Sequence, residues 1–263
     1  MTVRFHWAWR LCSILLALLG AGIRPVAAQA PGPPKANPRQ VREQFEEWQQ
    51  DFVDVVADLK KNTPDSNKHA ERLAFSAYRE VRDRAIEGEG LCNNAGRFLI
   101  MLAIAEVRRG KPDDGAWHWQ MAQNVFAELR TSAFNEFPDV AHFMEEKLIP
   151  ASRWGDLQQY ATGQKECTPL KSSEENLVGP KIIKKLQPRY PRGMEGRRIK
   201  SATTVAAIID TQGRVREPVV SRGCGYVAFD LAAMEALKDW VYAPATRNGV
   251  PFPVPLYVSV GFK

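Results

Sequence analysis

The spacing of apolar residues changes once along this chain of 263 residues, and no other feature constrains its fold as strongly. Up to about residue 150, apolar residues recur every three or four positions, which is the period of an amphipathic helix. Beyond about residue 200 they form β-branched runs and finally fall at every second position, as in strands. The length also suffices for two cores of ordinary size. The sequence therefore predicts an all-α domain followed by a small α+β domain.

Five helices are predicted in the first half. Pro38 suits the first turn of the first helix, with Asn37 as its N-cap. The third helix is apolar nearly all round and should be the buried centre of this half, and Gly88 and Gly90 should separate it from the second. The expected ranges are about 41–59, 66–86, 94–109, 113–129 and 138–148.

The third and fourth helices form a predicted hairpin whose pattern resembles about half of the tetratricopeptide signature. The matching residues are Leu99, Leu102, Ala103, Gly110, Gly115, Trp119 and Ala122. The closing proline of that signature is absent, and no second copy follows at a period of about 34 residues. A plain helical bundle and a tetratricopeptide-like unit are therefore both left open.

Four aromatic residues of the helical half are open to two interpretations. Stacked helical hairpins can form a concave groove for peptides, and Trp117, Phe134, Trp154 and Tyr160 are candidates to line it. The alternative is that these residues complete the core or cover the junction between the domains.

The first thirty residues have the order of a secretory signal peptide. Arginines flank a 13-residue apolar run, Leu11 to Ile23, which is too short to span a hydrocarbon core of roughly 30 Å. Small residues behind it suit cleavage after Ala28 or Ala30. We expect export to the periplasm, and a retained inner-membrane anchor facing the periplasm is the alternative. The expected organisation is signal peptide 1–30, proline-rich lead 31–38, helical domain 39–162, linker 163–179 and C-terminal domain 180–263.

Charge divides the chain in a similar way. Residues 31–170 contain 18 Lys and Arg against 22 Asp and Glu, whereas residues 171–263 contain 15 against 8. An exported basic domain seldom meets nucleic acid, so its expected partners are acidic peptide segments or anionic lipid headgroups. A basic surface that is only solvated is the alternative.

Removal of the signal peptide leaves three cysteines in a compartment where disulfides form. We pair Cys92 with Cys167, because one lies in a turn-like stretch of the helical half and the other just beyond the end of that half. Cys224 would then keep its thiol. No Cys-x-x-Cys motif or nearby histidine pair predicts a metal site.

The sequence offers no recognisable catalytic constellation. His69, His118 and His142 lie on predicted helices without a Ser or Cys nucleophile in an elbow beside them, and His118 is expected at a surface or half-buried position. Adjacent carboxylates such as Glu46 and Glu47 point to different helix faces. Glycine-rich phosphate loops are absent. We expect a protein that is not an enzyme and needs neither cofactor nor metal.

A hairpin begins the predicted sheet of the C-terminal domain. Its arms are residues 203–209 and 214–221, and the turn between them has Asp210 first and Gly213 where a left-handed residue is needed. Pro218 in the second arm marks a bulge or an edge.

A helix and a final strand complete that domain. The helix packs Phe229, Ala233, Ala236 and Trp240 on the sheet, since these residues recur at spacings of four, three and four. A two-residue turn at Asn248-Gly249 precedes the strand 254–262, which alternates apolar and other residues. These elements predict an antiparallel three-stranded sheet with a helix on one face.

Short motifs in this half follow one another in a characteristic order. They are Tyr190-Pro191, Ile209-Asp210-x-x-Gly213-x-Val215, Phe229-Asp230-x-Ala232-Ala233-x-x-Ala236-Leu237-x-x-Trp240, Pro244-Ala245, Gly249-Val250-Pro251 and Val260-x-Phe262. Over about 84 residues they resemble the C-terminal domain of the TonB energy-transducer family. In this pattern Asp210 and Gly213 close the hairpin, Asp230 can cap the helix, and Trp240 is a wedge between helix and sheet.

The resemblance implies a binding domain that grips a short extended segment of an outer-membrane transporter, which adds as a strand to a sheet edge. The residues that correspond to the gripping surface are Lys184, Lys185, Leu186 and Gln187, with Leu256, Tyr257 and Val258 on the edge. The lysines would suit an acidic partner. Tyr190 and Pro191 either join the grip or form a fixed turn that begins the domain, and the two roles are compatible.

The chain departs from the family in what precedes this domain. A transducer of the family needs a retained membrane helix and a long proline-rich spacer, whereas here the apolar run is short and a helical domain stands in place of the spacer. We therefore expect a periplasmic protein-protein interaction protein that binds an extended partner peptide by strand addition. The alternative is a membrane-anchored energy transducer that couples a proton-driven inner-membrane motor to outer-membrane transporters. Exposed edge strands also allow a dimer.

Overall fold

A computed structural model of the protein describes residues 38–84, 89–125, 134–149, 176–197 and 201–262. The predicted signal peptide and residues 150–175 lie outside this part, and with them Trp154, Tyr160 and Cys167. The side chain of Cys92 also lies outside it. The disulfide between Cys92 and Cys167 therefore stays a prediction.

The described residues form an all-α half and then an α+β half, which confirms the predicted order. The helices are α1 (Pro38–Lys61), α2 (Pro64–Arg84), α3 (Glu89–Arg108), α4 (Pro112–Val125), α5 (Pro138–Glu146) and α6 (Val227–Lys238). The strands are β1 (Leu177–Val178), β2 (Lys181–Lys184), β3 (Ser201–Ile209), β4 (Val215–Arg222), β5 (Val241–Ala243), β6 (Ala245–Arg247), β7 (Val250–Phe252) and β8 (Val254–Phe262). A 3-10 helix spans Arg192–Arg197.

Two helix starts differ from the prediction for local reasons. α2 begins at Pro64 because Thr63 and Ser66 exchange hydrogen bonds: the Ser66 amide donates to the Thr63 hydroxyl (3.2 Å) and the Thr63 amide to the Ser66 hydroxyl (3.0 Å). This reciprocal pair satisfies amides that a helix start leaves without acceptors. α3 begins at Glu89, so Gly90 lies in its first turn instead of the break, since a glycine weakens a helix without preventing one.

α4 is buried on both sides, because it packs against α3 on one side and β4 on the other. Trp117 and Phe134 are buried, as the core interpretation of these aromatic residues expects. His118 is buried as well, with Nδ1 2.6 Å from a carboxylate oxygen of Glu106, so its expected surface or half-buried position was wrong. Trp119 joins α5 by donating from its indole nitrogen to the Met144 carbonyl (2.8 Å).

The main sheet of the second half has the strand order β4-β3-β8 and is antiparallel throughout, which confirms the predicted three-stranded sheet. α6 covers one face with buried residues such as Phe229 and Leu237. β4 is an edge strand with a bulge at Glu217 and Pro218, as the proline indicated. Two smaller sheets, β2-β5 and β1-β6-β7, flank the main one.

The turn between β3 and β4 is held by a side chain and by a second strand. The Asp210 carboxylate accepts hydrogen bonds from the amides of Gln212 (2.8 Å) and Arg214 (2.9 Å). Gly213 adopts a φ of +77°, and its carbonyl accepts a hydrogen bond from the amide of Tyr242 in β5 (2.8 Å). The hairpin turn is thus attached to the strand that follows α6.

Asp230 does not cap α6, contrary to expectation. The helix begins three residues earlier, at Val227, because the apolar residues before Asp230 also pack on the sheet, and no side chain caps its start. The Asp230 carboxylate instead accepts hydrogen bonds from the Thr203 hydroxyl (2.7 Å) and the Cys224 amide (3.2 Å). Burial raises the pKa of this carboxyl. Asp230 therefore links α6 to β3 and to the loop that precedes α6.

The helical half packs on part of the face of the main sheet that α6 leaves open. Ile149, which follows α5, packs on Ala206 of β3 and Val219 of β4, and Tyr257 of β8 lies against the same cluster. The 3-10 helix lies on the end of α2, where a Cβ added to Gly193 would be 2.3 Å from the Asp83 carbonyl oxygen. The second face of the sheet is therefore covered around Ala206 and Val219, while Ala202 and Ser259 on the same face are exposed.

A buried ion pair also joins the two halves. Arg82 of α2 has a side-chain exposure of 1% and donates hydrogen bonds to Glu235 of α6 and to its neighbour Asp83. Tyr78, one turn earlier on α2, is fully buried nearby, and the charge of Glu235 adds to the burial that raises its pKa. A charge so deeply buried requires its partner.

Carboxylates at the start of α4 make further ion pairs across the junction. Asp113 accepts hydrogen bonds from Arg214 (2.8 Å) and Arg216 (3.1 Å), and Asp114 pairs with Lys238 (2.8 Å). The hydrogen bond from Arg216 holds the pKa of Asp113 below its ordinary value, with the charge of Arg214 acting in the same direction.

Acidification should remove the contribution of Asp113 to stability. Its pKa is lower in the folded protein than in the unfolded chain, so this contribution is complete above the unfolded pKa and is lost as pH falls through the folded pKa. The difference in urea midpoint between wild type and Asp113→Asn should therefore be largest near neutral pH, begin to shrink at about pH 4 and disappear at a pH below the folded pKa. Asp65→Asn, at the exposed start of α2, is the control. A difference that is the same at both pH values would contradict the ion pair.

Candidate functional site

The outer edge of β8 is the first candidate for a binding surface. β8 pairs with β3 along its whole length, from Val254 opposite Ile209 to Phe262 opposite Ser201. On its other side no strand of the described residues pairs with it. An edge of this kind presents a row of backbone N–H and C=O groups to an incoming strand.

The side chains of β8 divide between the two faces of the sheet as the predicted alternation requires. Val254, Val258, Val260 and Phe262 are buried on the face of α6, and Leu256 is half-buried among them. Tyr257 points to the other face, against Ile149. The side chains of the predicted edge residues Leu256, Tyr257 and Val258 therefore hold the strand on the sheet. A partner would bind the backbone N–H and C=O groups of this stretch.

The predicted gripping stretch is exposed and is held in place by Trp240. Lys184 ends β2 opposite Val241, and the ammonium group of Lys185 lies 4.8 Å from the centre of a Trp240 ring. The carbonyl of Leu186 accepts a hydrogen bond from the Trp240 indole nitrogen (2.8 Å). Gln187 is exposed. Trp240, predicted as a wedge, thus also fixes the backbone of this stretch.

Tyr190 and Pro191 attach the same segment to the domain. The Tyr190 ring meets Phe229 of α6 edge-on at 5.0 Å and Phe262 of β8 at 6.4 Å. Pro191 is buried, and its carbonyl accepts a hydrogen bond from the Met194 amide (2.9 Å) where the 3-10 helix begins. These contacts fit the fixed turn and place Tyr190 at the C-terminal end of β8, whereas Lys184 and Leu186 lie at β5 and Trp240, beyond the other end of α6.

A basic strip runs through this segment. Residues 181–192 contain Lys181, Lys184, Lys185, Arg189 and Arg192 and no acidic residue. None of these five side chains forms an ion pair with another residue of the described ranges. The strip also exposes Ile183 at 69%. Its chemistry is that of a surface for an acidic segment with apolar residues.

Two further observations concern the described residues alone. They contain no cluster of three or more His, Cys, Asp or Glu side chains that could hold a metal ion. None of their helices is both long and apolar enough to cross a bilayer.

Comparison with known proteins bears on this second half. The family described as Gram-negative bacterial TonB protein C-terminal matches residues 186–263, which include Tyr190-Pro191, the main sheet and α6. Residues 186–263 are a TonB C-terminal domain. The match includes all of β8 and begins inside the basic strip, after Lys181, Lys184 and Lys185.

The TonB C-terminal domain is also the part of the chain that resembles a curated protein. Protein TonB of Vibrio cholerae serotype O1 is 32% identical over 82 residues, which are 31% of this chain and 34% of that protein. The chain thus matches about a third of the length of this relative. No solved structure matches the chain.

The residues that join the helical half to the TonB C-terminal domain were not predicted from the sequence. Arg82, Asp113 and Asn124 are polar residues on amphipathic helices, where the usual expectation is solvent exposure. The sequence contains one indirect signal for them: Trp117 and Trp119 are large apolar residues on different sides of α4. That pattern indicates a helix buried between two layers.

Proposed function

We propose that this protein works in the Gram-negative cell envelope as a protein-interaction protein, and that its TonB C-terminal domain binds an extended segment of a partner by strand addition. The open outer edge of β8 is the observation that carries the proposal. Strand addition would give every outward backbone group of β8 a partner without any rearrangement of the sheet.

The partner segment is expected to be acidic and partly apolar. Five cations from Lys181 to Arg192 form no ion pair with another residue of the described ranges, and Tyr190 links the end of this strip to Phe262 on β8. A segment along β8 that continues past Phe262 would thus meet the Tyr190 end of the strip, where Arg189 and Arg192 lie beside Tyr190 in sequence. A short extended segment of an outer-membrane transporter is the expected occupant, and the protein is expected to act in the periplasm.

The second candidate function is that of a membrane-anchored energy transducer. The similarity to Protein TonB favours it, although that similarity is confined to about a third of the relative. The two candidates differ in the fate of residues 1–30, which the first removes and the second retains as an anchor. The intact mass of the protein recovered from the host envelope distinguishes them.

Site-specific cross-linking in the host tests strand addition. We expect benzoylphenylalanine at Ser259, an exposed residue of β8, to cross-link under ultraviolet light to a short extended segment of an outer-membrane transporter, identified by mass spectrometry. The double substitution Lys184→Glu and Lys185→Glu should reduce the yield severalfold, because it reverses two charges of the basic strip.

Benzoylphenylalanine at Gln49 on α1 is the matched control, since this residue is as exposed but lies on the helical half. No transporter should be found at that position. Equal yields at Gln49 and Ser259, or no transporter segment at Ser259, would refute strand addition at β8.

A further inference from the structure

The other edge of the main sheet, along β4, is occupied by a side chain of the helical half. The carboxamide of Asn124, near the end of α4, donates a hydrogen bond from Nδ2 to the Pro218 carbonyl (2.8 Å). Its Oδ1 accepts a hydrogen bond from the Val220 amide (2.8 Å). Both backbone groups point away from β3, toward the position that a fourth strand would take.

This pair of hydrogen bonds is the pair that one residue of a parallel neighbouring strand would make. In a parallel ladder, a residue donates to the carbonyl before the residue opposite and accepts from the amide after it. Asn124 does the same on either side of Val219 with its side-chain amide. A carboxamide can take this role because it carries a donor and an acceptor side by side.

Asn124 is held in this orientation from its own helix. The second hydrogen of Nδ2 is donated to the Gln120 carbonyl, one turn earlier (2.9 Å). Reversing the amide would place a donor against the Val220 amide and an acceptor against two carbonyls, so the hydrogen bonds determine the orientation. The side chain is therefore fully used within the junction.

α4 is aligned with β4 at both ends. Asp113 near the helix start pairs with Arg214 and Arg216 at the start of β4, and Asn124 near the helix end binds the middle of the strand. The separation of Asp113 and Asn124 along a helix is about 16 Å, and that of Val215 and Val219 along a strand is about 13 Å. Contacts at both ends of the helix therefore hold α4 beside β4.

The rest of this edge is interrupted by the bulge. Pro218 has no amide hydrogen to offer, and Glu217 has a φ of 49°, which turns the strand away from regular pairing. The bulge and Asn124 therefore protect adjacent parts of the same edge.

We propose that the helical half acts as a resident edge cap, in which Asn124 mimics a neighbouring strand and confines strand addition to β8. The proposal rests on the proposed function only in its second part, because the cap itself is a property of the free protein. The helical half would thus take part in partner selection, because only one extended segment could bind, and only at the β8 edge of the sheet.

Amide hydrogen exchange in the full chain tests the cap without any partner. The Val220 amide should be protected in the wild type and should exchange about tenfold faster in Asn124→Ala, the effect expected for the loss of one hydrogen bond. In Asn124→Asp the oxygen that replaces Nδ2 would face the carbonyls of Pro218 and Gln120, so the side chain should be displaced and the Val220 amide should exchange faster there too. Gln49→Ala on α1 should change nothing. The amides of β3 report any general loosening of the sheet.

An unchanged Val220 rate in Asn124→Ala would overturn the cap, as would an acceleration shared equally by the amides of β3. Cross-linking tests the second part. Benzoylphenylalanine at Arg222, the exposed last residue of β4, should give no transporter segment in the wild type, because Asn124, α4 and the bulge occupy this edge. Wild-type yields at Arg222 that equal those at Ser259 would overturn the confinement. If Ser259 itself gives none, the proposed function fails, while hydrogen exchange still decides whether the edge is capped.

Discussion

Arg82→Met should lower the free energy of unfolding by about 3 to 5 kcal/mol, the range seen when one partner of a buried ion pair is removed. Arg82 is 1% exposed and joins α2 to Glu235 of α6. Methionine fills a similar space but leaves the carboxylate of Glu235 beside a buried apolar side chain with no cation to pair with it. The loss should appear as a lower urea midpoint at an unchanged m-value, because the substitution hardly changes the surface that unfolding exposes.

Two variants separate the ion pair from side-chain size. Arg84→Met removes a neighbouring arginine that is 51% exposed and pairs with Glu80, and it should cost at most about 1 kcal/mol. The double variant Arg82→Met with Glu235→Leu removes the charges on both helices and should recover part of the lost stability, since Asp83 keeps its carboxylate without Arg82. A loss below about 1 kcal/mol for Arg82→Met would show that Glu235 is not a buried partner.

Gly213→Ala should destabilise the TonB C-terminal domain by about 4 kcal/mol, which is more than most single substitutions cost. The φ of +77° is unfavourable for alanine, and the added Cβ would lie 1.7 Å from the carbonyl oxygen of Tyr242. That oxygen belongs to the backbone of β5, which also donates to the Gly213 carbonyl. The turn and β5 cannot move apart without breaking this hydrogen bond.

Gly249→Ala is the matched control, because its φ of +79° is almost the same and nothing lies within 4 Å of the added Cβ. It should cost only the conformational term of about 1 to 2 kcal/mol. Urea unfolding of both variants measures the difference between them. Equal losses would mean that backbone conformation alone accounts for the effect, and that the close approach of β5 to the turn is absent.

Local patterns were enough to predict most of the elements. The spacing of apolar residues located the helices of the first half, and the Asp210 to Gly213 turn with its flanking β-branched residues located the hairpin of the main sheet. These patterns work because they depend on neighbours within a few positions. Asp230 shows their limit: an Asp near a helix start suggests a cap, but packing of Val227 and Phe229 on the sheet extended the helix past it.

The candidate site was predictable only in part. The motif order pointed to β8 and to the stretch before Tyr190, since both lie within one small domain. The occupied edge was not predictable, because Asn124 and its partners Pro218 and Val220 are more than ninety positions apart. An asparagine in a helix is equally compatible with solvent, and no local pattern separates the two cases. The same holds for Arg82, whose partner Glu235 is 153 positions away.

The cluster of Ile149, Ala206 and Val219 has a consequence for the order of folding. Synthesis proceeds from the N-terminus, so the helical half is complete before the residues of the sheet exist. The hairpin of β3 and β4 would then form beside a preformed apolar and charged surface that fits one of its faces and one of its edges. Slow pairing of strands far apart in the chain, such as β3 with β8, would proceed with β4 already shielded. The helical half would thus serve its neighbour first as a template during biogenesis, before any partner is met.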